Sequence, residues 1–144
     1  MAVQQRYTLQ KGDKLKSKKL IEQLFKEGKS FSLFPFRVLY LEAPASNPFP
    51  EAGASGYLQT AFSVSKKYFK KAVDRNRVKR LMREAWRLQK NELSEKLQST
   101  NKGLNVFIIY TGNELPQYEL VFEKTNAVIR RLIKIQHEIT IANT

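Results

Sequence analysis

An α+β domain, a small sheet packed with helices, is the fold class the sequence predicts, on three observations. Asp74–Leu88 places Val78, Leu81, Met82, Ala85 and Leu88, with Trp86 beside them, mostly three and four residues apart, the period of an amphipathic helix. Phe36–Leu41 and Tyr57–Ser65 alternate as half-buried strands do. Asn105–Thr111 is nearly all apolar between turn residues, as a central strand buried on both faces would be. The element order is then helix, two or three strands, long basic helix, strand, helix. With 144 residues, 42% of them apolar, and nine Phe, the chain can bury a real core as one domain spanning 1–144.

Residues 1–16 are polar and basic and read as a mobile arm. Ser17 caps a helix that runs through Glu27 on the stripe Leu20, Ile21, Leu24, Phe25, and Gly28 ends it as a residue free to turn left-handed. That stripe is ordinarily core. An exposed Phe25 would instead be a platform for stacking a base, and spacing leaves both uses open. In the first strand Phe36, Val38 and Tyr40 share one face, and Arg37, Leu39 and Leu41 the other. Residues 43–56, with Pro44, Pro48, Pro50, Gly53 and Gly56, form a surface loop. In the second strand Leu58, Thr60, Phe62 and Val64 face a core, while Tyr57, Gln59, Ala61, Ser63 and Ser65 make a mostly small and polar face suited to a groove floor or to plain solvent. The basic helix is capped by Asp74 and runs to about Gln98, and a last helix spans Tyr118 to about His137.

Charge is concentrated where the periodicity is clearest. Lys66–Lys90 carries eleven Lys or Arg against Asp74 and Glu84, a net +9 of the chain's +13. On a helical wheel Asn76, Lys79, Arg80, Arg83, Arg87 and Lys90 share one arc, roughly 100° wide, that holds no acid. Solvated faces ordinarily mix signs, because like charges at i,i+4 repel. An all-basic ridge relieves its self-repulsion on a polyanion, so the helix is expected to bind phosphate.

Composition also excludes. No run of 18 apolar residues exists, so no membrane partner of the spanning kind is expected. Met1–Arg6 lacks the apolar stretch of a secretory signal, and zero cysteines fit a cytoplasmic location. With His137 the only histidine and no carboxylate cluster, catalytic residues in the protein itself are not expected, which disfavours a self-contained nuclease. A peripheral membrane protein would need free the apolar face that the core requires.

Phe62-Ser63-Val64-Ser65-Lys66-Lys67, then Ala72-Val73 and Arg75-Asn76-Arg77-Val78-Lys79-Arg80-Leu81, resemble the protein subunit of bacterial ribonuclease P. That family carries an S-V-S-K-K strand end and an R-N-R-x-K-R helix start. The resemblance implies a ribosomal protein S5 domain 2-like fold with a left-handed βαβ crossover. It implies two partners, a catalytic RNA subunit and precursor tRNA, whose 5′ leader the RNA removes with Mg²⁺. The RNA-binding residues would be Lys66, Lys67, Arg75, Asn76, Arg77, Lys79, Arg80, Arg83 and Arg87. A leader-binding cleft would be lined by Ile21, Phe25, Val38, Tyr40, Ala61 and Ser63. Two departures stand out. Tyr68-Phe69-Lys70-Lys71 is one residue longer than the family's usual segment and lacks its glycine, and Ile21 replaces a common Phe. A ribosomal or RNA-chaperone protein using the same ridge, with no processing role, is the competing expectation.

Overall fold

The computed structural model describes residues 14–15, 17–43, 58–100 and 102–142. The expected arm up to residue 13, Lys16, the 44–56 part of the proline-containing loop and Tyr57 lie outside them. The first helix, α1 (Lys18–Glu27), starts as its cap predicts, with the Ser17 hydroxyl accepting the Leu20 N–H at 3.3 Å. Its end differs from expectation. Gly28 has φ −70° and ψ 156°, an extended backbone, so no left-handed turn is made. Glycine serves here by close approach, since a Cβ would sit 2.3 Å from the Leu24 carbonyl oxygen.

Five residues after α1 form a strand that periodicity did not single out, β1 (Lys29–Leu33). It pairs antiparallel with β2 (Phe36–Ala43) across the cis Phe34–Pro35 peptide. β3 (Leu58–Val64) lies parallel to β4 (Gly103–Tyr110), and β4 is antiparallel to β2, giving the order β1-β2-β4-β3. The apolar run is thus an interior strand, as its composition requires. Lys14 and Leu15 do not behave as arm. Leu15 is buried, and its N–H donates to the Thr60 carbonyl at 3.0 Å along the β3 edge.

The basic segment is two helices, α2 (Ala72–Gln89) and α3 (Asn91–Ser99), separated at Lys90. Lys71 occupies the cap position without a side-chain bond, and Asp74 lies inside the first turn, where its charge still suits the helix dipole. The break lets Leu93 and Leu97 join the core at 0% exposure, beside Val78, Met82, Ala85 and Trp86 of α2. Each such side chain contributes about 1.5–3 kcal/mol by leaving water. The last helix, α4 (Tyr118–Ala142), packs on α2, α3 and β1. Two layers result on the sheet. α2, α3 and α4 cover one face over the main core, and α1 covers the other over a smaller cluster of Leu15, Leu24 and Leu39.

Candidate nucleic-acid interface

Alternation along the strands decides which side chains meet α1. Leu39, Leu41, Ala61, Phe107 and Ile109 pack with Leu20, Ile21 and Leu24. Phe36, Val38, Phe62 and Val64 pack on the opposite side, with α2 and α4. Of the six residues expected to line a cleft beside the first helix, Ile21, Phe25, Ala61 and Ser63 fall on its side. Val38 and Tyr40 do not. Val38 is fully buried in the main core, and Tyr40 packs against Phe31 at 5.8 Å between ring centroids. Burial pushes the Tyr40 phenol up, opposed by the nearby Arg131 charge. Both faces of β2 are apolar, so its pattern alone names the sharing residues but not the helix each face meets.

Beside α1, where a groove is expected, an aromatic pair joins the helix to the sheet. The Phe25 ring meets Phe107 edge-on, with centroids 5.2 Å apart and planes at 64°. Phe25 is 53% exposed, which separates it from the core leucine beside it. Phe107, Leu39 and Ile109, which the sequence reading did not place here, complete the floor with Arg37. For Phe107 and Ile109 the signal was the alternation inside β4, masked by an almost uniformly apolar run.

The ridge is real but smaller than its wheel. Arg77, Arg80 and Arg83 are exposed and Lys79 is half-buried, and none has an acidic partner among the described residues. Asn76 is exposed beside them, and Lys66 and Lys67 project from the turn that leaves β3, with Lys67 Nζ 5.4 Å from the Tyr68 ring centre. Two arginines are committed elsewhere. Arg75 Nη1 donates to the Phe69 and Lys70 carbonyls at 2.7 and 2.8 Å, holding the longer 68–71 segment against the start of α2. Arg87 donates through Nε to Glu84 Oε2 at 3.1 Å and through Nη2 to Oε1. Those bonds hold the Glu84 carboxyl below the usual carboxylate range and raise the guanidinium. Lys90, on the same wheel arc, is buried at the break. On α4, Arg130 pairs with Glu92 at 2.8 Å and Arg131 lies over the Phe31 ring.

Fold and site together define a small basic α+β protein with a basic helix ridge over one face of its sheet and an aromatic pair beside α1 on the other. Residues 9–134 match the family described as Ribonuclease P, and the chain belongs to that family. It is 35% identical over 129 residues to the ribonuclease P protein component of Porphyromonas gingivalis, covering 90% of this chain and 87% of that one. It is 30% identical over 132 residues to that of Chlorobium phaeobacteroides, covering 87% and 88%. Among solved structures it is similar to the RNase P protein of Thermotoga maritima, with TM-score 0.57 and 23% identity over 82% of this chain and 96% of that one. The Staphylococcus aureus RNase P protein superposes with TM-score 0.56 at 18% identity over 86% and 94%. At those identities the likeness is one of fold.

Proposed function

We propose that this chain is the protein subunit of a ribonuclease P ribonucleoprotein, binding a catalytic RNA through the α2 ridge and the 5′ leader of precursor tRNA in the groove under α1. The observation that carries it is the pairing of two chemistries in one family member. Cations without acidic partners among the described residues, at Lys66, Lys67, Arg77, Lys79, Arg80 and Arg83, suit phosphates. A half-exposed aromatic pair suits unstacked bases. Asn76 adds a neutral hydrogen-bonding group to the ridge, while Arg75 and Arg87 support it indirectly, by holding a loop and by pairing with Glu84. Among the described residues no group of three or more His, Cys, Asp or Glu could hold a metal ion, and in this reading the Mg²⁺ that the family implies belongs to the RNA. Among the described residues no helix is long and apolar enough to cross a membrane.

Reconstitution tests it. The protein combined with its cognate RNA should speed leader removal from precursor tRNA at low Mg²⁺ relative to RNA alone. A protein that leaves the RNA's rate unchanged, and that carries ribosomal RNA through purification instead, would be a ribosomal or chaperone-type binder.

A further inference from the structure

The groove floor on β2 carries one charge, Arg37. Its side follows from its neighbours: Phe36 and Val38 lie in the main core, Leu39 lies under α1, and a strand alternates. Its register partners are Ser32 on β1 and Ile109 on β4, and Ile109 lies opposite Ser63 on β3. The next row along the same face is Ser30, Leu39, Phe107 and Ala61. Two residues of strand separate the rows, about 6.6–6.8 Å. Arg37 is therefore one row from the aromatic pair of Phe25 and Phe107. It is exposed, and it makes no hydrogen bond or ion pair with any described residue.

We infer that Arg37 reads the base of the leader nucleotide adjacent to the one stacked at Phe25 and Phe107, and that it selects guanine. The inference rests on the leader-groove reading above and adds a sequence preference to it. A strand whose bases stack on the aromatic floor turns those bases toward the sheet and its phosphates outward, toward solvent. A guanidinium on the floor then meets a base edge rather than a phosphate. It offers five donors in a planar fork and no acceptor. Guanine presents two neighbouring acceptors, O6 and N7, that take this fork in parallel, whereas adenine places a donor beside its N7. Uncharged Ser32, Ile109 and Ser63 around Arg37 supply no competing carboxylate.

The test uses the reconstituted ribonucleoprotein and precursor tRNAs whose leader is changed one nucleotide at a time. At one leader position guanine should be bound about 5- to 150-fold more tightly than the other bases, and 7-deazaguanine, which lacks the N7 acceptor, should lose most of that gain. Arg37→Ala and Arg37→Lys should both flatten the base profile by losing the guanine gain, while retaining the melting temperature and the wild-type affinity for leaders without that guanine. Lysine keeps the charge but not the fork. A wild-type profile that is flat, that favours cytosine, or that survives in Arg37→Ala would overturn the inference. So would an equal loss for every base with a reduced salt slope, which marks a phosphate contact. If wild type does not distinguish leader-bearing from mature tRNA, the leader reading itself fails and this inference with it. If it does distinguish them but without a guanine position, only the role of Arg37 falls.

Discussion

Replacing Lys79, Arg80 and Arg83 together by Gln removes three cations of α2 for which the structure shows no acidic partner among the described residues. Gln is a good helix former, and none of the three belongs to the buried stripe, so α2 should persist at an unchanged melting temperature. Each phosphate contact contributes about 0.7 (single strand) to 0.9 (duplex) to the slope of log K against log salt. Three lost contacts should flatten that slope by about 2.1–2.7. Between 50 and 200 mM salt the variant's affinity should therefore fall about 20- to 40-fold less than that of wild type. Adding Arg87→Gln should change the slope by clearly less than one further contact, because Glu84 already engages that guanidinium. Filter binding of the catalytic RNA at four salt concentrations measures all three proteins. A triple variant with the wild-type slope would remove the ridge from the RNA interface. A further slope change of one full contact on adding Arg87→Gln would show that the Glu84 pair does not restrain Arg87.

The converse substitution, Glu84→Gln, should release Arg87 and steepen the salt slope by up to about 0.7–0.9. Because the folded-state pKa of Glu84 is lowered, its pairing favours the fold above the unfolded value of about 4.3 and is lost as pH falls through the lower folded value, so melting temperatures of wild type and Glu84→Gln should converge in acid. Phe25→Ala should weaken binding of leader-bearing precursor tRNA about 5- to 150-fold with mature tRNA unaffected. At 53% exposure it should cost less stability than the about 3–5 kcal/mol of a buried Phe, and a collapse in melting temperature would assign the ring to the core instead. Val38→Ala should do the opposite, lowering the melting temperature while leaving leader discrimination intact, as its place in the main core requires.

The elements whose pattern is set by a single partner were legible in the sequence. α2 shows its stripe because its apolar side chains all face one core, and β4 shows its run because it lies inside the sheet. The S-V-S-K-K and R-N-R-x-K-R segments were legible as well, and they led to the family that the match over residues 9–134 establishes. β1 went unread because five residues alternating Ser30 and Ser32 with Phe31 and Leu33 give too short a signal beside a capped helix. Other features were decided only in three dimensions. Period-two alternation says which side chains share a face, but β2 is apolar on both, and only the docking of α1 over Leu39 sent Val38 and Tyr40 to the other side and brought Phe107 and Arg37 into the groove. A helical wheel likewise places Arg87 and Lys90 on a ridge, and a motif names Arg75, without knowing what lies within reach of their long side chains. The carbonyls of Phe69 and Lys70, the Glu84 carboxylate and the turn into α3 took those three, because a cation settles on the acceptor the folded chain sets nearest to it, and distance is not written in sequence order.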